Sequence, residues 1–327
     1  MSLLNQDLDT KLSLNENKNG LESLDIQINE GEEVPFQDKG HKPRELTEDE
    51  KLKLESDQQL VSEFKRNKYE LDAKKNWDLF YRRNKANFFK DRYWTFREFD
   101  ELNEDHHSIE NDESMTSQKP IKKLIEIGCG VGNFMYPLIK NNKHIFVYAC
   151  DFSTDAIQLL KSNPDYDTNR CLGFVCDITK ENYLKECLPE NELVDAVTLI
   201  FVLSAIHPDK MRKAAENIAQ VLRPGGIVFV RDYGIYDHSM IRFEKGHKLD
   251  EKFYVRQDGT RTFFFSLEEI ENIFLKPVEN SDVKLFEKSI NEYVFRETVN
   301  VKENLRVPRV FIQSKFIRTN SHFSRTC

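Results

Sequence analysis

The chain has 327 residues, enough for one large or two ordinary domains, and 39% apolar residues with 24 Phe can fill a substantial core, which excludes a wholly disordered polypeptide. No apolar run approaches the roughly 18 residues that a membrane span needs. A count of 48 Lys plus Arg against 56 Asp plus Glu gives a net charge of −8, which taken whole disfavours a nucleic-acid partner.

Position along the chain changes that last inference. Residues 1–45 are polar and lack an apolar period, and residues 1–44 carry nine acids and five bases, a net −4. Such a segment is expected to be a disordered acidic tail. Its start has neither secretory nor transit-peptide character, so a cytoplasmic or nuclear location is expected. From Thr47, which forms a capping box with Glu50, Leu54, Val61, Phe64 and Leu71 recur near helical spacing and predict one long amphipathic helix in a helical region 46–102. Residues 64–97 combine eleven Lys or Arg with only four acids, a net +7, and with a dense set of aromatic residues. An ordinary helix with a wet basic face is one explanation. The coincidence of charge and rings favours a surface that stacks on bases while cations follow phosphates. Residues 103–119 hold five acids and one base and form an acidic linker. Tail and linker together account for the whole negative excess.

Residues 120–318 have a different pattern. Short apolar runs at 121–128, 145–151, 172–177, 193–203 and 226–231 alternate with helical patterns at 132–140, 153–162 and 209–222. That alternation predicts an α/β domain with a Rossmann-like, seven-stranded and mostly parallel sheet covered on both faces. Beyond Gly234 a Ser266/Glu269 capping box opens a helix near 266–275, and the runs 291–299 and 306–317 suit an antiparallel pair at one sheet edge. Residues 306–325 carry five cations and no acid. Residues 319–327 are expected to form a flexible tail. Six cysteines without a Cys-x-x-Cys pair are expected to be free thiols, with no metal site.

The sharpest motif is Glu126-Ile-Gly128-Cys-Gly130-Val-Gly132-Asn133, at the end of the first predicted strand of this domain. Its glycines allow a tight turn and close approach of backbone to a ligand at a helix N-terminus. A dinucleotide fingerprint places its third glycine three residues after the second. Here that place holds Asn133, which favours a nucleoside with an amino acid over a pyrophosphate. Asp151 ends the next strand, where a carboxylate accepts both hydroxyls of a ribose. Asp177 ends the third, beside Ile178, where they suit an adenine amino group and its ring. Each acid alone is an ordinary solvated strand end, but the set points to S-adenosylmethionine. Ile200, in the fourth strand, is a candidate for the same pocket, with a core role as the alternative.

The segments LIEIGCGVGN, VYACDFS, FVCDIT, LIFVLSAIHPDKM, RDYGIYD, FYVRQDGTRTFFF, NWDLFY and NFFKDRYW resemble the eukaryotic tRNA N3-methylcytidine methyltransferases. The likeness runs from about residue 46 to 318. The ending NEYVFRETVNVKENLRVPRVFIQSKF, with His207 before Pro208, resembles the branch that modifies serine tRNAs. The resemblance implies a class I S-adenosylmethionine-dependent methyltransferase fold with an N-terminal RNA-binding extension. It implies methylation of N3 of the cytidine at position 32 of the anticodon loop, with seryl-tRNA synthetase as a helper. It places cofactor contacts on Trp77, Tyr81, Gly128, Asp151, Asp177, Ile178 and Ile200.

Cytosine N3 carries a lone pair and no proton at neutral pH, so its attack on a methyl needs no general base, and positioning carries the rate. His207 and His238 are therefore expected to be structural. The product is a cationic base, and Asp232, just past the fifth strand, is a candidate to hold its amino edge while Tyr233 walls the pocket. A turn cap is the alternative for Asp232. Because N3 lies on the pairing edge, the base must be flipped out and stacked. Phe88, Phe89, Arg92 and Trp94 are expected at the target nucleotide, and Arg82, Arg83, Lys90, Arg296 and Arg309 along the RNA.

Overall fold

The computed structural model describes residues 37–103, 122–300 and 305–321. Most of the expected acidic tail, nearly all of the linker and the last six residues lie outside these. Residues 37–45, assigned to the tail, are instead ordered: β1 (Gln37–Gly40) pairs with a later strand, and Arg44 donates to the carbonyl of Tyr236 and to the Glu50 carboxylate. The single long helix expected next is three, α1 (Glu48–Ser56), α2 (Glu63–Leu71) and α3 (Ala73–Asn84). The Thr47/Glu50 capping box does open α1. The break comes where Val61 is buried and its N–H donates to the carbonyl of Lys248, so an extended stretch is pinned to the body. Phe64 and Leu71, expected on a buried stripe, are 78% and 85% exposed.

The α/β unit follows as β2 (Lys123–Ile127), α4 (Met135–Asn141), β3 (Phe146–Asp151), α5 (Thr154–Ser162), β4 (Cys171–Val175), β5 (Val194–Ile200), α6 (Pro208–Val221) and β6 (Leu222–Tyr233). Three short strands, β7 (Lys248–Asp250), β8 (Phe253–Val255) and β9 (Arg261–Phe263), form a small antiparallel sheet. Then come α7 (Leu267–Leu275), β10 (Phe286–Asn300) and β11 (Leu305–Arg318). The main sheet has the order β1-β10-β11-β6-β5-β2-β3-β4, eight strands where seven were expected, and β1 is the extra edge. β6, β5, β2, β3 and β4 run parallel, and β10 and β11 add the expected antiparallel pair.

Side chains alternate across a strand, and the sequence uses both directions. Ile125 and Ile127 of β2 join Val197, Leu199, Val228 and Val230 under α6, whose Met211, Ala214 and Ile218 close that face. Leu124 points the other way and packs with Val147, Ala196 and Phe229 beneath α4 and α5. Trp94, Phe99 and Leu102 belong to this second layer. The end of the N-terminal region is thus part of the α/β core, and the Phe99 ring lies 4.9 Å from that of Phe229.

Strand order reverses beside β2: the chain passes outward through β3 and β4, then returns to place β5 on the other side. In open α/β sheets ligands bind at such a switch point, beyond the carboxyl ends of the strands. The turn after β2 and the turn after β5 therefore face each other across a crevice.

Candidate cofactor and substrate site

The turn after β2 is the glycine loop. Gly128 and Gly130 have φ of +65° and +53°, a left-handed conformation that a side chain disfavours by about 1 to 2 kcal/mol. A Cβ on Gly128 would also lie 2.5 Å from a Val202 methyl carbon. Asp151, at the end of β3, accepts from the N–H of Gly130 at 3.0 Å and of Ser153 at 2.9 Å. Asp177, after β4, accepts from the N–H and hydroxyl of Thr179, while Asn217 of α6 donates to the Ile178 carbonyl and fixes that turn. Gly128, Asp151, Asp177 and Ile178 line one cleft of about 230 Å3, with Trp77 and Tyr81 of α3 opposite them.

A second chamber of about 40 Å3 lies on the far side of the glycine loop. Trp77, Tyr81, Gly128 and Phe201 line both chambers. Around the second are Glu126, Asn133, Ile200, Tyr233, Arg92 and Arg256. The Arg92 guanidinium lies 4.9 Å from the Phe201 ring centre, and Arg256 lies 5.8 Å from that of Tyr233. The wall is thus built of rings and cations.

Glu126 is the acidic residue among those lining the second chamber. It is 4% exposed, and its Oε2 has no hydrogen-bond partner among the described residues. Burial pushes its carboxyl up to about 8, against the pull of Arg92 and with the help of the Asp151 carboxylate. Burial also raises Asp151 to about 6, although the N–H groups of Ser153 and Gly130 favour its ionised form. A buried carboxyl with an unused oxygen beside a cleft fits a ligand that brings a cation. S-adenosylmethionine carries both an ammonium and a sulfonium, so the residues present suit it. Glu126 is largely protonated at pH 7 in the free protein and would ionise beside such a ligand. Calorimetry in buffers of different ionisation heat should therefore detect proton release on S-adenosylhomocysteine binding near pH 7, with affinity rising toward pH 8. Glu126→Gln should bind without that release.

Several expected site residues lie elsewhere. Asp232 is fully buried and accepts from the N–H groups of Ser204 and Tyr233 at 2.9 Å each. It braces the turn after β5 and lines neither chamber, as the capping alternative has it, whereas Tyr233 does line the second. Trp94 is 7% exposed, with the guanidinium groups of Arg231 and Arg296 lying 5.0 and 5.8 Å from its ring centre, so its face is unavailable to a base. Arg296 donates to Glu98. Arg309, expected along the RNA, is 6% exposed and donates to the buried carboxylate of Asp237 in an interior ion pair. The C-terminal basic stretch is likewise internal where it is described: Lys315 pairs with Glu101, and Arg318 donates to the carbonyls of Ala219 and Leu285.

The N-terminal basic region holds the other candidates. Phe88 and Phe89 are half-buried, edge to face at 4.8 Å, and pack on Phe80. Arg83 and Lys90 are exposed. Arg82 bridges to Asp155, and Lys74 donates to Thr154, which seats α3 on the start of α5. Phe201 escaped sequence reasoning as a site residue, while Arg256 and Arg261, which the sequence offers only as further cations to follow phosphates, line the second chamber. The two arginines stand in the segment FYVRQDGTRTFFF, which carried part of the family likeness, so a signal was present there.

A parallel sheet with a glycine loop after its first central strand, acids at the ends of the next two and a nucleoside-sized cleft at the switch point define a class I methyltransferase. A family model described as "Methyltransferase domain" matches residues 125–228. The fold is similar to that of a solved S-adenosylmethionine-dependent methyltransferase from Anabaena variabilis, with a TM-score of 0.53 and 12% identity over 75% of this chain and 94% of that one. The sequence is 52% identical over 283 residues to the Homo sapiens tRNA N(3)-cytidine methyltransferase METTL6, covering 86% of this chain and 93% of that protein. It is 38% identical over 287 residues to the Danio rerio tRNA N(3)-cytidine methyltransferase METTL2, covering 81% and 79%. The chain belongs to the tRNA N3-cytidine methyltransferase family. Among the described residues no helix is long and apolar enough to cross a membrane, and no group of three or more His, Cys, Asp or Glu is placed to hold a metal ion.

Proposed function

We propose that this protein is an S-adenosylmethionine-dependent tRNA methyltransferase that forms 3-methylcytidine. One observation carries this: identity of 52% extends over 283 residues, far past the generic domain at 125–228, and so takes in most of the basic aromatic arm and the second chamber as well as the glycine loop.

The residues then divide the work. Bound S-adenosylmethionine supplies a methyl group on a positively charged sulfur. Gly128, Asp151, Asp177 and Ile178 hold its adenosine half, and Glu126 answers its charge. Trp77 and Tyr81 close over both chambers and keep water from the reacting centre. Phe201 and Tyr233, with ring centres 5.0 Å apart, offer the flipped base a wall. A chamber of about 40 Å3 holds only a few waters, so it must widen to admit a pyrimidine. In-line attack by N3 needs no proton removed, and alignment supplies the rate.

The finer assignment is position 32 of the anticodon loop of serine tRNAs, presented by seryl-tRNA synthetase in the cytoplasm or nucleus. The likeness of the C-terminal strands and of His207-Pro208 to the serine branch supports it. Methylation of purified serine and threonine tRNAs, with and without the synthetase, tests it. The expected result is at least tenfold faster turnover of serine tRNA, increased by the synthetase; equal rates on both tRNAs would reject the branch assignment.

Exposed cations of the arm carry the RNA contact in this account. Reversing charge at Arg83 and Lys90, which unlike Arg82 take no part in seating α3, should weaken tRNA binding at least tenfold and flatten its salt dependence, because each lost phosphate contact removes roughly 0.9 from the slope of log K against log salt. Affinity for S-adenosylhomocysteine should stay unchanged. Filter binding across a salt series reads both effects.

A further inference from the structure

Asn133 joins the glycine loop to the RNA-facing arm. Its carboxamide nitrogen donates to the Phe89 carbonyl at 3.1 Å and to Asp91 Oδ1 at 3.2 Å. Its own carbonyl accepts from the N–H of Arg92 at 2.8 Å. One residue of the loop therefore grips the stretch 89–92 by three hydrogen bonds. Downstream, the Arg92 carbonyl accepts from both the N–H and the hydroxyl of Thr95, so the stretch is held from each side.

The chemistry requires asparagine here. An amide NH2 has two hydrogens, one for a carbonyl and one for a carboxylate. An aspartate in its place would have no donor and would face Asp91, and the glycine of a dinucleotide fingerprint would not reach. The arm also rests on the loop at a second point, since a Cβ on Gly130 would lie 2.7 Å from the Tyr81 hydroxyl. Gly130 is in turn held by Asp151. The positions of Phe89, Arg92 and Tyr81 are thus referred to the same turn that cradles the cofactor.

We infer that Asn133 is a positioning residue that couples cofactor binding to tRNA binding, so that each ligand tightens the other. A cofactor seated in the glycine loop fixes the turn, and through Asn133 it fixes Phe89 and Arg92 at the chamber rim. The ordering cost borne by the first ligand is then spared the second, which sets a positive sign. Such a coupling must be reciprocal.

This inference rests on the tRNA methyltransferase assignment, and the experiment separates the two. The tRNA dissociation constant is measured with and without saturating S-adenosylhomocysteine, and the ratio of the two constants is the readout, because an effect on tRNA affinity common to both cancels. The wild-type ratio should be about five or more, within the usual range for coupled sites. In Asn133→Ala, which loses both side-chain bonds and keeps only the backbone bond to Arg92, it should fall toward one. Asp91→Ala, at an exposed position and retaining the bond to Phe89, should give an intermediate ratio, and it carries the test if Asn133→Ala does not fold. A wild-type ratio of one, or a ratio unchanged in the variants, would overturn the coupling alone. Absence of any tRNA binding by the wild-type protein would instead overturn the functional assignment.

Discussion

Asp151→Ala should weaken S-adenosylhomocysteine binding on the order of 100-fold and abolish methylation. The side chain is 6% exposed and accepts from two N–H groups, one of them on the glycine loop. Removing it leaves both donors unsatisfied at about 1 to 3 kcal/mol each and deletes the acceptor for the ribose hydroxyls. A loss of about 2.7 kcal/mol in binding corresponds to the factor of 100. The pH dependence has a definite sign. Burial raises this carboxyl to about 6, so the accepting form is present above that pH, and wild-type affinity should drop as pH falls through about 6. Asp151→Asn cannot titrate and should lack that drop. Affinity within threefold of wild type for Asp151→Ala would remove the cofactor from this cleft.

Arg309→Met should lower folding stability by about 3 to 5 kcal/mol, because it strands a buried carboxylate. Asp237, fully buried, accepts from Arg309 Nε at 2.9 Å and also from the N–H groups of Val310 and Ser239. The pair ties β11 to the segment after β6. Adding Asp237→Asn should restore part of the loss, since no charge is then left alone in the interior. Urea unfolding with the double-mutant cycle measures this. tRNA affinity of the folded Arg309→Met protein should remain near that of the wild type. A stable variant with greatly weakened RNA binding would return Arg309 to the RNA surface.

Arg309 also marks the limit of what the sequence made legible. The net +5 of 306–325 was real, but a count does not separate a cation facing solvent from one facing a buried acid 72 residues away in the chain. Arg318 donating to helix and loop carbonyls, and Trp94 beside two guanidinium groups, show the same limit: composition has no inside. The cofactor side was legible because its signals are local. The glycine loop, Asp151 and Asp177 each sit at the end of a strand whose period announces it, and strand ends meet in this topology. The second chamber was legible only in part: Phe89, Arg92 and Tyr233 were expected at the target base and do line it, but its assembly from 89–92, 126–134, 201, 233, 256 and 261 joins segments with no common period. The long N-terminal helix failed for a tertiary reason, since burying Val61 against the strand region near Lys248 outweighs continuing the helix.

The central claim is that these two chambers serve methyl transfer to cytosine N3 in tRNA. The most direct test incubates the full-length protein with methyl-labelled S-adenosylmethionine and total tRNA, with and without seryl-tRNA synthetase, and then digests the RNA to nucleosides. The account predicts that the label appears as 3-methylcytidine. Label in any other nucleoside, or none from a protein that binds S-adenosylhomocysteine, would contradict it.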